Sequence, residues 1–286
     1  MKLVTFSTSG EPMVGLSDGK GVAPLTGRLS EPVTDMISLM NAWDRVQPEI
    51  RAIGNFEIPL QDVTLHAPVT RPGKILAIGL NYADHAAEGG KAPPEYPMWF
   101  SKAATSVNGP YEPIDRPIVS EHLDYEAELV IVIGKRCRHV PKDRALDMIF
   151  GFCAGNDVSV RDWQLRTTQH FIGKSFDTHA PYGPWIVTPD EVSPANLAIR
   201  SYVNGELRQN SRTDQLIFDC AHQISYLSQV MTLEPGDILF TGTPSGVGAA
   251  KKPPLWLKAG DVVRVEIEGI GAIENRVVDE KAPLPA

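Results

Sequence analysis

Cysteine is scarce, with only Cys137, Cys153 and Cys220 in 286 residues and no two of them in a C-x-x-C spacing. That scarcity argues against a disulfide framework or a cysteine-ligated zinc cluster, and it suits a reducing cytoplasm. No apolar stretch approaches the ~18 residues that a membrane-spanning helix needs; the longest strand-type run is Leu129–Ile133. The start, Met1-Lys2-Leu3-Val4-Thr5-Phe6, reads as a strand and lacks the apolar core and small-residue cleavage site of a secretory signal. Basic residues are outnumbered, 27 Lys and Arg against 35 Asp and Glu, for a net charge of −8. Nucleic acid and anionic membrane call for the opposite balance, so neither is expected as a partner. The chain also lacks internal repeats. Its Gly-rich stretch Thr241–Gly248 is not a Walker A loop, because no Gly-Lys-Ser/Thr closes it. Nor is it a G-x-S-x-G elbow, because Ser245 has no glycine two positions before it.

Glycine and proline, 24 of each, are spread along the chain as loop punctuation. The first sixty-odd residues read as a small unit, with strands at Val4–Phe6 and Val14–Leu16. A helix is expected from about Pro32 to Val46, where Val33, Met36, Ile37, Met40 and Trp43 recur near 3.6 residues. The run His66–Gly73, with its two prolines, marks a boundary. We therefore expect a small α+β domain over 1–68 and a main domain over 69–286. Strand candidates there are Ile75–Ile78, Ala127–Ile133, Trp185–Val187, Ile199–Val203, Ile238–Thr241 and Val262–Ile267. Val203-Asn204-Gly205-Glu206 predicts a hairpin, because Asn-Gly tolerates the positive φ angles of a type I′ turn. One further helix is expected from about Asp214 to Thr232, stopped by Pro235-Gly236. The fold class is α+β, mostly β.

Chemistry concentrates in a few places. Asp124-Tyr125-Glu126-Ala127-Glu128 runs into an apolar strand, whose period of two puts Glu126 and Glu128 on one face. Two like charges in a partly buried site need a proton or a cation between them. A third acid, Asp157, follows 31 residues after Glu126 in a second strand-like segment. Three hard carboxylates without Cys or His suit Mg2+ or Mn2+ better than zinc; an exposed strand edge with a turn-capping Asp is the alternative. His85 and Glu88, three apart on a short helix capped by Asn81 or Asp84 and ended by Gly89-Gly90, can form a carboxylate-oriented base on a mobile lid. The alternative there is an incidental surface pair. Arg161 and Gln164 follow closely on Asp157, and Lys174 sits between strand-like segments, where an ordinary exposed lysine is the plainer reading. The amides of the Thr241–Gly248 loop could bind a carboxylate, or the loop could be a plain turn.

These stretches together resemble the fumarylacetoacetate hydrolase family. The matching pieces are Gly79–His85, Phe100-Ser101-Lys102, Asp124–Leu129, Asn156–Asp162, Gly173–Asp177, Val203–Glu206 and Pro235–Pro244. The likeness spans roughly Lys74 to Glu268. It implies a mixed β-sandwich-roll main domain behind a small variable N-terminal domain, usually in a homodimer. It also implies one divalent cation per subunit, Mg2+ or Mn2+, and a small 2-oxo acid substrate. Carried over by position, Glu126, Glu128 and Asp157 would be the metal ligands. His85 with Glu88 would be the water-activating dyad, and Lys174 an electrophilic cation. Tyr82, Arg161, Gln164 and Thr243 would line the substrate pocket, with Trp99, Phe171 and Tyr182 as scattered candidates for its distal part. The activity so implied is C–C hydrolysis of an acylpyruvate to pyruvate and a carboxylic acid. Isomerisation or decarboxylation of a related 2-oxo acid, ureidoglycolate lysis and silent metabolite binding are the alternatives.

Overall fold

The computed structural model describes residues 1–90 and 92–281. The chain opens with a meander of β1 (Lys2–Ser7), β2 (Met13–Ser17) and β3 (Gly21–Pro24). α1 (Met36–Arg51), β4 (Ile58–Pro59) and β5 (Thr64–His66) follow. Next come β6 (Ile75–Gly79), α2 (Ala83–Glu88), β7 (Met98–Lys102), β8 (Val107–Asn108), β9 (Ile114–Arg116) and β10 (Leu123–Asp124). The centre holds β11 (Ala127–Ile133) and β12 (Ile149–Asn156), and β13 (Ser159–Val160) then leads into the short helices α3 (Arg161–Gln164) and α4 (Phe171–Lys174). β14 (Ala180–Val187), the hairpin β15 (Ala198–Val203) and β16 (Glu206–Arg212), α5 (Cys220–Val230), β17 (Ile238–Phe240), β18 (Val262–Ile267) and β19 (Gly271–Asp279) complete it.

The main sheet runs β4-β3-β2-β1-β14-β12-β11-β17-β6-β7, and a second sheet runs β16-β15-β18-β19-β9. β1 pairs antiparallel with β14, Lys2 opposite Val187, so the N-terminal strands continue the main sheet. β11 accounts for the layering. Its Leu129, Ile131 and Ile133 pack with Ile199 of β15, Val265 of β18 and Ile224 and Leu227 of α5. Its Val130 and Val132 face the other way, into a core shared with Met36, Leu39, Val46 and Ile50 of α1. The strand is apolar on both faces because both faces are covered, which removes the usual alternation. The class is α+β and mostly β, as the sequence suggests.

Three local departures have clear causes. α1 starts at Met36 rather than Pro32, because Asp35 caps it, accepting from Ser38 N–H at 2.7 Å while Ser38 Oγ accepts from Asp35 N–H at 3.0 Å. It then runs through Pro48 to Arg51, since Ile50 prolongs the buried stripe. α5 begins only at Cys220, where Asp219 accepts from His222 N–H at 2.7 Å. The hairpin forms as expected: Val203 pairs with Glu206, and Asn204 and Gly205 have φ of 53° and 79°. Among the described residues, no helix is long and apolar enough to cross a membrane.

Candidate active site

The antiparallel pairing of β11 with β12 assembles the acids. Ala127 lies opposite Asn156, so Glu126 and Asp157 leave the end of the pair together, and Asp157 N–H donates to Glu126 O at 2.9 Å. Asn156 Oδ1 accepts from Glu126 N–H at 2.8 Å. Glu128 is the first carboxylate within β11 itself. Ligand atoms of Glu126, Glu128 and Asp157 lie within 4.8 Å of one another, and all three residues are buried.

Three cations face these acids. Lys174, 1% exposed, donates to Glu126 Oε2 and Asp157 Oδ2, both at 2.6 Å. Lys102, at the end of β7, donates to the other oxygen of Asp157. Arg161 bridges Glu126 Oε1 at 2.6 Å and Asp124 Oδ2 at 2.8 Å. Burial alone would raise the Glu126 carboxyl, but Lys174 and then Arg161 outweigh it and hold it at about 2. Glu128 goes the other way. Burial, reinforced by Asp157 and Glu126, pushes its carboxyl well above the usual range. Among the described residues its one hydrogen bond is from Gly242 N–H, at 2.7 Å. Lys174 acts on it only from a distance and is outweighed, so this buried carboxylate has a neutral donor, two acidic neighbours and, among the described residues, no bonded cation. The oxygen-only donor set and this carboxylate without a bonded cation fit a hard cation, which Glu126, Glu128 and Asp157 could hold.

The loop after β17 organises the rest. Its amides do bind carboxylates, but those of the protein itself. Gly242 N–H serves Glu128, Ser245 N–H serves Asp84 at 3.3 Å, and Gly246 N–H serves Glu88 at 3.0 and 3.2 Å. Gly248 and Ala249 N–H serve Asp124 at 2.8 and 2.9 Å. Glycine is required at 242 and 246, where φ is 101° and 105°. Glu88 Oε2 also lies 3.3 Å from His85 Nδ1, so the expected pair forms, with both side chains partly exposed.

A match to the family model described as fumarylacetoacetate (FAA) hydrolase C-terminal covers residues 74–278. The chain belongs to the fumarylacetoacetate hydrolase family. The mitochondrial oxaloacetate tautomerase of Xenopus laevis is 48% identical over 288 residues, spanning 97% of this chain and 90% of the relative. The maleylpyruvate hydrolase of Sphingobium sp. SYK-6, solved with manganese(II) and pyruvate, superposes with a TM-score of 0.84 at 33% identity, covering 98% of this chain and all of that one. The 5-carboxymethyl-2-hydroxymuconate delta-isomerase of Mycobacterium smegmatis does so at 0.79 and 37%, covering 99% of this chain and all of that one. Hydrolases and isomerases thus share this family's fold.

Against this family background the remaining residues sort themselves. Gln164 accepts from Arg161 at 3.0 Å and is buried beside the acids' cations. The Thr243 hydroxyl donates to Ala127 O at 2.9 Å and accepts from Gln209 at 2.7 Å. Tyr82 is fully buried in the main core and its hydroxyl has no partner among the described residues. Neither Asn81 nor Asp84 caps α2. Tyr82 is the N-cap and makes no side-chain cap bond, while Asn81 donates to Thr241 O at 2.7 Å. Tyr182 is a core residue whose hydroxyl is bonded to Val69, and Phe171 is exposed. Sequence reasoning missed Lys102, Asp124 and Gln209 as site residues. Lys102 and Asp124 lie inside motifs it quoted; their burial is what the sequence does not display.

Proposed function

We propose that this protein is a tautomerase of 2-oxo dicarboxylates of the oxaloacetate type, working with Mg2+ or Mn2+. The observation that carries this reading is one carboxylate-oriented imidazole beside a buried cluster of acids and cations. Keto–enol exchange needs a base at C3 and positive charge at the C2 oxygen, and little else. The aligned tautomerase, matched over nearly the whole chain, ranks this reading first.

With the proton of His85 on Nδ1, facing Glu88 Oε2 at 3.3 Å, Nε2 would be the atom that takes a proton. In the forward direction Nε2 takes the C3 proton. The C–H electron pair forms the C2–C3 double bond, and negative charge moves to the C2 oxygen. Lys174 offers an N–H toward that charge, and a proton delivered to the oxygen completes the enol. When bound, the divalent cation supplies Lewis acidity toward neighbouring carboxylate and keto oxygens. The charge balance supports an anionic substrate. With Glu128 ionised, as a metal ligand would be, Asp124, Glu126, Glu128 and Asp157 against Lys102, Arg161 and Lys174 give 4 − 3, one net negative charge. A divalent cation reverses its sign.

Acylpyruvate hydrolysis stays as a second reading, favoured by the likeness to maleylpyruvate hydrolase and by the same dyad. There His85 would take a proton from a water attacking C4, and the C3–C4 bond would break to give pyruvate and a carboxylic acid. The deciding experiment follows enol loss of oxaloacetate by its ultraviolet absorbance, using EDTA-treated protein with and without Mg2+ or Mn2+. Acetylpyruvate cleavage is measured in parallel. Metal-dependent enol conversion, lost in His85→Ala, is the expected result. Cleavage of acetylpyruvate with no effect on the enol would overturn it in favour of hydrolysis.

A further inference from the structure

Very little apolar contact holds α2 in place. Six residues make under two turns, too few to persist as an isolated helix. Ala86 is its only buried side chain, and no side chain caps its start. Carboxylates fix it instead. Asp84 Oδ2 accepts from Ser211 Oγ of β16 at 2.6 Å, and its Oδ1 accepts from Ser245 N–H at 3.3 Å. Glu88 is shared between the Gly246 amide and the His85 ring, so its anchoring of the helix and its contact with the base are not separable. Among the described residues Asp84 bonds only to Ser211 and Ser245, not to the ring.

We propose that Asp84 is a positioning residue, which clamps α2 to Ser211 and Ser245 and thereby sets where His85 stands in the site. This rests on the reading of His85 as the base. The clamp refers α2 to the frame that carries the acids. β16 is fastened to the same loop by Gln209, which donates to Thr243 Oγ1 at 2.7 Å and to Pro244 O at 2.8 Å. That loop holds Glu128 through Gly242. Base and acids therefore share one scaffold, and Asp84 is the link on the side of the base. Elements with few apolar contacts open readily, so losing the link should show first as local motion of α2.

The test uses the full chain and compares Asp84→Ala, Ser211→Ala, their double variant and Asp84→Asn. Asn keeps an oxygen for Ser245 N–H and a donor for Ser211 Oγ. Asp84→Ala should speed hydrogen exchange of the α2 amides at least tenfold and shift the ring resonance of His85, assigned with His85→Ala. It should lower turnover at least tenfold while Mn2+ affinity stays within twofold. Asp84→Asn should restore most of the turnover, and the double variant should be no worse than Asp84→Ala. An α2 exchange rate and a His85 resonance unmoved by Asp84→Ala would overturn the proposal, as would a tenfold loss of Mn2+ affinity. Exchange and resonance need no substrate, so an inactive wild type would count against the catalytic reading without touching the clamp.

Discussion

His179 offers a test in which the magnitude comes directly from its surroundings. Its side chain is fully buried five residues beyond Lys174. Nε2 bonds to Asp115 O at 2.8 Å, and Nδ1 has no partner among the described residues. Burial drives its pKa from the usual 6.5 to about 3; the bond to Asp115 pulls upward and loses, while Lys102 nearby adds to the fall. The folded value lies below the unfolded one, so the native state keeps a neutral ring. The stability from that ring is whole above pH 6.5 and drains as pH falls toward 3, because only the unfolded chain gains the proton. Each pH unit in that window costs about 1.4 kcal/mol, so pH 5 costs about 2 kcal/mol relative to pH 7.5. His179→Gln keeps a neutral donor and cannot titrate. Urea unfolding of both proteins at pH 7.5 and pH 5 isolates the effect, since the other titrating groups are common to the two. The variant should gain about 2 kcal/mol on wild type between these pH values. A difference that stays constant would refute the neutral buried ring.

Two further outcomes follow from the site. Metal-free Glu128→Gln should melt above metal-free wild type at neutral pH. The native carboxyl of wild type, raised by burial and by Asp157 and Glu126, loses stability as pH climbs above 4.5 toward that raised value, and Gln does not. Cation at a hundredfold excess over its Kd should stabilise wild type by about 2.7 kcal/mol and leave the variant unmoved. Melting with and without Mn2+ checks both, and an equal Mn2+ shift in the two proteins would remove Glu128 from the ligand set. Gly173→Ala puts a Cβ at 2.2 Å from Gln164 N and 2.4 Å from its Cα, backbone atoms that cannot swing away. It should cost about 1–3 kcal/mol by overpacking and at least tenfold in turnover as Lys174 is displaced. Unchanged turnover would mean that α3 and α4 need no fixed separation.

The acid cluster was legible because strand periodicity is local. Glu126 and Glu128 share a face in any extended chain, and the apolar run after them announces burial. The Asn204-Gly205 turn was legible for a similar reason, since two consecutive positive φ angles restrict the residue types. Helix ends were read less well. Asp35 and Asp219 were eligible caps, but apolar spacing continued past both and obscured where the helices begin. Tertiary pairings could not be read at all. Lys174 looks like any lysine until α4 carries it under the acids, and Lys102 lies 55 residues from the aspartate it holds. Asp84 was read as a helix cap, a short-range role, whereas its partners are 127 and 161 residues away.

The loop from Gly242 to Ala249 explains why so many acids can be gathered at one end of a sheet. A buried carboxylate is tolerable when N–H groups or cations replace its water. Here five backbone amides serve four carboxylates on three different elements, at no cost in net charge. Asp124 and Glu126 are additionally held by Arg161, and Asp157 by two lysines; among the described residues Glu128 is bonded by an amide and by no cation. Glu128 is therefore the carboxylate of the cluster at which a further positive charge would be best placed. In both proposed reactions, tautomerisation and hydrolysis, a cation at that point would withdraw charge from a 2-oxo group. In the first the base would take its proton from carbon, and in the second from a water that attacks C4 and cleaves the C3–C4 bond. On the proposed reading the acid cluster serves either reaction, so the choice between them would rest with what stands against His85, and hence with the placement of α2.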